Sequence, residues 1–324
     1  MAMKWRATRI AIATIAGLIA TTSFGQSYPT RPVRLILPYG PGGIVDFIGR
    51  TLARSLSDTL GQTVVAENKP GAGGIVGTSF VGTSQNDGYT LLLMDPAIVI
   101  NPTLQARVPY DLFKQFETIS VVSSSPEVLI VSPALNVKTF DEFVAYGKAN
   151  PGKLNFASAG VGTTPHLAAE MFKQQAGVDA IHVPYKGIGA SFIDMTTNKV
   201  QFAFSSIAGA LPFTSDNRLL PLATTGDERT PVYPKLPTVA EAGLKGFSVD
   251  LWLAVFAPSG IRPDVKAKLV AALKEALDKP ELKSAFATVG AVPRGTTPEE
   301  GAAFVKADFE KWKKVITDGN IKVE

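Results

Sequence analysis

The chain has 324 residues, of which 45% are hydrophobic and 19% charged, and it has no cysteine. That is enough length for two α/β lobes and too little charge for a disordered polymer. Lys4, Arg6 and Arg9 lie in the first few residues, and without them 29 basic residues face 28 acidic ones. A nearly neutral chain with no Lys/Arg run interleaved with aromatics excludes nucleic acid as a partner. The lack of cysteine excludes disulfides, a thiol nucleophile and thiolate metal ligands.

Residues 1–25 read as a secretory signal peptide: three cations, the apolar run from Ile10 to Ala20, then small and polar residues. The run is shorter than the ~20 apolar residues of a membrane span. The first folded unit follows, with Val33 to Leu37 as a buried strand. Ile44, Phe47, Ile48, Leu52 and Leu56 then recur at helical spacing. Between them lies Pro38-Tyr39-Gly40-Pro41-Gly42-Gly43. Its glycines allow close backbone approach, and the helix's first N–H groups point into it, so it is a seat for an anion or, as in any α/β protein, a plain connection. The pattern is neither G-x-G-x-x-G nor a P-loop, so nucleotide phosphate is excluded.

A second strand, Thr63 to Glu67, leads into another Gly-rich turn, Asn68-Lys69-Pro70-Gly71-Ala72-Gly73-Gly74, and a helix to about Thr83. In a parallel sheet both turns lie at the carboxyl edge. Tyr89 to Met94 is the next strand, ending at that edge in Asp95-Pro96-Ala97. Two runs, Thr118–Val122 and Val128–Val131, flank Ser123-Ser124-Ser125-Pro126 as a crossover. A second βα series begins with the capping box Thr139–Glu142 and a helix to Asn150. The strand Leu154–Ser158 and a helix from Thr164-Pro165 to Ala176 come next. Ile181–Pro184, a helix over Gly189–Thr197, Val200–Phe204 and Leu219–Thr224 complete it. Thr238–Glu241 caps a short helix, Leu251–Ala257 is the return strand, and the remainder is helical. The expected architecture is α/β. Periodicity alone gives two α/β series; their division into one lobe of residues 28–124 and 249–324 and another of 125–248 is what the resemblance described next implies.

The stretch Leu154-Asn155-Phe156-Ala157-Ser158-Ala159-Gly160-Val161-Gly162-Thr163-Thr164-Pro165-His166, with His182-Val183-Pro184-Tyr185-Lys186-Gly187, resembles the Bug family of periplasmic solute receptors. These are the binding components of tripartite tricarboxylate transporters. Glu67–Gly74, Asp87–Thr90, Ile100–Pro102, Leu236–Gly243 and Ala257–Gly260 extend the resemblance over the whole mature chain. It implies a type II-like periplasmic binding protein of the Venus flytrap form, with two crossing strands as hinge. The implied receptor is a periplasmic monomer without cofactor or metal, passing a small di- or aromatic carboxylate to membrane permease subunits. In the family, backbone amides of two loops hold the carboxylate. Here those loops are Tyr39, Gly40, Pro41, Gly42 and Gly43, and Ser158, Ala159, Gly160, Gly162, Thr163 and Thr164. Roughly four or five charged hydrogen bonds at ~1.5–3 kcal/mol each, set against several for desolvation, sustain micromolar binding near −8 kcal/mol.

Three departures bear on the ligand. Tyr39-Gly40 replaces the usual Phe-Pro, so Tyr39 lines the pocket. Asp95, with Ala97, brings a carboxylate to the pocket edge, to pair with an ammonium or protonated acid or to cap the next helix. Ser205-Ser206 replaces a common Asp, pointing to a less polar ligand. Ala72 and Gly73 join the site through the second turn, Asp46 ties down loop amides, and His166 braces the second loop. Trp252 is assigned to the core. The rival readings are a secreted carboxylate-processing hydrolase built from Ser158 or Ser205, His166 and Asp95, and a receptor for a membrane sensor kinase. No G-x-S-x-G elbow, H-E-x-x-H or Asp-rich calcium loop supports catalysis or a metal.

Overall fold

The computed structural model describes residues 28–322, so the leader lies outside the described residues. The chain opens with β1 (Val33–Leu37), α1 (Ile44–Leu60), β2 (Val64–Asn68), a 3-10 turn (Ala72–Gly74) running into α2 (Ile75–Gly82), and β3 (Thr90–Met94). Ile48, Leu52 and Leu56 of α1 are all fully buried, the stripe their spacing requires. Gly61 ends the helix in the left-handed region, at φ 65°. Then come α3 (Ala97–Leu104), α4 (Leu112–Gln115) and β4 (Phe116–Ser124), after which the chain crosses through Ser125-Pro126 into a second sheet.

That sheet starts with β5 (Glu127–Val131), α5 (Phe140–Ala149), β6 (Leu154–Ser158), α6 (Thr164–Ala176) and β7 (Ala180–Pro184). A 3-10 turn (Ile188–Ser191), α7 (Phe192–Thr196), β8 (Phe202–Ser206), α8 (Ile207–Thr214) and β9 (Leu220–Thr224) complete it. The chain returns through residues 225–252 to β10 (Leu253–Pro258), α9 (Pro263–Asp278), α10 (Pro280–Ala287), β11 (Val292–Pro293) and α11 (Pro298–Asp318).

The two sheets repeat one plan. The first has the order β2-β1-β3-β10-β4-β11 and the second β7-β6-β8-β5-β9. In each, three parallel strands are followed by an antiparallel one that arrives from the other sheet: β10 beside β3, and β5 beside β8. The chain therefore crosses twice, and the crossings touch in an isolated bridge between Pro126 and Asp250. This is the two-lobe arrangement, each lobe having its own sheet and flanking helices. The carboxyl ends of β1 and β2, and those of β6 and β7, carry the Gly-rich loops.

Several expected elements differ. The Thr238–Glu241 box forms both its bonds, Glu241 N to Thr238 Oγ1 at 3.1 Å and Thr238 N to Glu241 Oε2 at 2.9 Å. No helix follows, because Gly243 turns the chain at φ 114°. Helices α3 and α8 were not expected; each contains a proline, Pro102 and Pro212, which depresses helical propensity until packing overrides it. The return strand starts at Leu253 rather than Leu251. The C-terminal region is not wholly helical, since β11 pairs Val292 and Pro293 with Ser124 and Ser123.

Candidate functional site: two helix-start loops and their supports

In the first lobe Gly43 precedes α1 without any side-chain cap, so the helix's opening amides are left free. The loop is held from behind. Gly42, at φ 94°, donates its amide to Asp46 Oδ2 at 3.0 Å. Asp46 Oδ1 also accepts from Arg50 Nε and from Asn68 Nδ2, each at 2.9 Å. Asn68 Nδ2 lies 2.9 Å from the Tyr39 carbonyl as well. Arg50 and these hydrogen bonds hold the buried Asp46 carboxyl down at about 2, against the burial that would raise it. Gly40, Gly43 and Ile44 make no amide hydrogen bond among the described residues.

The second lobe is built the same way. Thr163 precedes α6 without a side-chain cap. Gly162, at φ 77°, donates its amide to His166 Nδ1 at 3.0 Å. Ser158 Oγ, fully buried, lies 2.6 Å from His182 Nε2 and accepts the Gly160 amide at 3.0 Å. The two imidazoles stack with centroids 4.0 Å apart, and Phe156 stacks on His182 at 4.8 Å. Burial pushes His166 down to about 3 and His182 to about 4, with Lys173 adding to both shifts, so both rings are neutral near pH 7. The amides of Val161 and Thr164 make no hydrogen bond among the described residues. A Cβ on Gly162 would stand 2.1 Å from Leu104 Cδ2, so this loop rests on the end of α3 in the other lobe.

The remaining candidates fall in two groups. Tyr39 donates its hydroxyl to Asp95 Oδ1 at 2.8 Å, and Asp95 Oδ1 also accepts the Ala97 amide at 3.1 Å, so Asp95 serves the start of α3 and anchors Tyr39 together. Desolvation raises the Asp95 pKa, opposed by those two bonds. Gly73 gives its carbonyl to Asn101 Nδ2 at 3.1 Å, and Ala72 and Gly73 are exposed beside it. Ser205 is fully buried with its hydroxyl bonded to the Ser206 carbonyl, and Ser206 caps α8 through the Gly209 amide. Pro41 is exposed and Ala159 half-buried in their loops. Ser158 contacts His182 rather than His166, and its hydroxyl is taken up by loop contacts.

Sequence reasoning did not select Arg50, Asn68, His182 or Leu104 for the site. The i,i+4 spacing of Asp46 and Arg50 was a usable signal. Asn68 becomes adjacent only through β1–β2 pairing, which places it opposite Leu37. Trp252 is core: it and Trp312 both donate their indole N–H to the buried Asp308 Oδ2, at 2.8 and 2.9 Å.

Behind the loops, the two crossings bring acids together. Ser124 Oγ bonds Asp250 Oδ2, while Asp250 Oδ1 and Glu127 Oε2 have no partner among the described residues. Burial, with Asp250 beside it, pushes Glu127 from 4.5 up to about 8. The native chain thus keeps a proton there that the unfolded chain sheds above the ordinary value. Stability from this group is lost as pH rises from 4.5 to 8, at about 1.4 kcal/mol per pH unit. Glu127→Gln is expected to match the parent chain near pH 4.5 and exceed it by a few kcal/mol at pH 8 in urea unfolding. Parallel stability curves for the two proteins would refute this.

Two sheets joined by two crossings, with an uncapped helix start in each lobe, define a two-lobe solute-binding protein. The family model described as "Tripartite tricarboxylate transporter family receptor" matches residues 48–321. Protein BugT of Bordetella pertussis is 35% identical over 317 residues, covering 97% of both chains. Among solved structures, Rpa4515 of R. palustris with adipate aligns at TM-score 0.77 and 30% identity, over 91% of this chain and 99% of that one. MatC of Rhodopseudomonas palustris with bound malate aligns at TM-score 0.70 and 29% identity, over 89% and 100%. The chain belongs to the tripartite tricarboxylate transporter receptor family, in which the Bug proteins fall.

Proposed function

We propose that this protein is a periplasmic receptor that closes on a small carboxylate between residues 39–43 and 158–164 and passes it to membrane permease subunits. The observation that carries the reading is the pair of helix starts, α1 and α6, each without a side-chain cap and each preceded by a glycine loop with unengaged amides. Free first-turn amides and the helix dipole favour a carboxylate there. The bound adipate and malate of two structural relatives support a dicarboxylate as first candidate, and an aromatic carboxylate as second. Among the described residues no helix is long and apolar enough to cross a membrane.

A panel of mono-, di- and aromatic carboxylates, with adipate and malate included, tests this by thermal shift with NMR of the supernatant. At ~100 times Kd a ligand stabilises the native state by about 2.7 kcal/mol, a shift of several degrees. Stabilisation with the ligand recovered unchanged is the expected result. Conversion of a stabilising carboxylate would overturn the receptor reading in favour of an enzyme, and stabilisation by none of the panel would overturn the ligand class.

A further inference from the structure

The two loops share a device. In each, a glycine with positive φ donates its amide to the side chain four residues ahead: Gly42 to Asp46 and Gly162 to His166, both at 3.0 Å. Each accepting side chain is buried and held in turn by the strand next to its loop. Asp46 is gripped by Asn68 at the end of β2 and by Arg50. His166 is stacked on His182 of β7, which contacts Ser158 at the end of β6. The structure assigns Asp46 and His166 as matched positioning residues, one per lobe. Each takes up one glycine amide, fixes its loop's direction, and leaves the neighbouring amides as the donors offered to the ligand. This rests on the receptor reading for its purpose, while the geometry stands without it.

The choice of acceptor differs between lobes for a physical reason. Asp46 has a guanidinium beside it and stays an anion. Among the described residues no cation is paired with His166: it faces the His182 ring, with Lys173 of its own helix nearby and that ammonium paired with Glu170 at 2.8 Å. A neutral imidazole accepts at Nδ1 there without a buried charge. Since Nδ1 accepts the hydrogen bond of the Gly162 amide, the ring's own proton sits on Nε2.

Amide exchange followed by NMR on the unliganded mature chain tests the device without any ligand. His166→Phe keeps the stacked ring and removes the acceptor, and His166→Asn restores an acceptor. The expected result is exchange at Gly162 at least ~10-fold faster in His166→Phe with Gly42 unchanged, and near-parental rates in His166→Asn. Asp46→Leu is expected to act reciprocally on Gly42 alone. Unchanged Gly162 exchange in His166→Phe, or equal acceleration in both loops, overturns the assignment. Adipate titration of the same variants then reads the purpose. If adipate binds the parent chain, His166→Phe is expected to weaken it ~10-fold and His166→Asn less than threefold. Equal weakening by both variants overturns the positioning role. Failure of adipate and the rest of the panel to bind the parent counts against the receptor reading, and the exchange rates still decide the assignment.

Discussion

Gly162→Ala is expected to weaken carboxylate binding at least ~100-fold while leaving the fold intact. The residue sits at φ 77°, and an L side chain in the left-handed region costs roughly 1–2 kcal/mol. The effect on binding comes from Leu104, at the end of α3 in the other lobe. The new methyl would stand 2.1 Å from Leu104 Cδ2 and 3.6 Å from Leu104 Cγ. Leu104 is 8% exposed and packed into the main core, so it yields only by disturbing its neighbours. Under the proposed receptor function, an open form that separates the loop from α3 escapes the clash, so the penalty falls on the closed form that would hold the ligand. A tenfold loss corresponds to about 1.4 kcal/mol, and an overpacking clash of about 3 kcal/mol is two such steps. Adding Leu104→Ala to Gly162→Ala is expected to recover at least ~10-fold of the affinity. Isothermal titration with any carboxylate that binds the parent chain measures both. Undiminished affinity in Gly162→Ala would sink the argument, as would a double variant no better than the single one.

Asp308→Ala is expected to cost 3–5 kcal/mol of unfolding free energy, on the order of a third of a typical domain's stability. Asp308 is 5% exposed and accepts both buried indole N–H groups, from Trp252 on the return crossing and Trp312 in α11. Its other oxygen pairs with Lys311 at 2.5 Å. Truncation strands two buried donors, each costing more than its bond contributed, while the Lys311 ammonium keeps the Ser248 carbonyl at 2.9 Å. Asp308→Asn keeps an oxygen for the indoles and should lose about half as much. Urea unfolding followed by tryptophan fluorescence reports directly, since both indoles are the probes. A loss below ~1 kcal/mol in Asp308→Ala would show that water or repacking satisfies the indoles.

Much of the fold was legible because short-range signals and tertiary packing agree. Ile48, Leu52 and Leu56 announce the buried stripe of α1. Thr139 with Glu142 opens α5, though Glu142 reaches back to the Lys138 amide, at 2.7 Å, rather than to its cap residue. The same kind of signal misled at Thr238–Glu241, where the box closes over a turn. A capping box satisfies amides at the start of a turn, and continuation needs a face to bury. Helices α3 and α8 went unread for the converse reason: burial of Ile98, Val99, Ile100 and Ala210 outweighs their prolines.

The sequence by itself determined the strand, glycine loop and helix at residues 33–60 and again at 154–176, and hence where uncapped amides gather. These depend on residues within a few positions of each other, whose φ preferences and apolar spacing act locally. It also implied the family, through motifs spread along the chain. Only the tertiary structure decided which amides in those loops are already taken. Gly42 and Gly162 were read as ligand donors like their neighbours, yet each is bonded to a side chain of its own helix. The partners that hold those side chains, Asn68 and His182, arrive through parallel strand pairing. Leu104, at the end of α3, meets Gly162 only because the chain folds one lobe against the other. Such contacts join residues far apart in the chain, and no local preference encodes them.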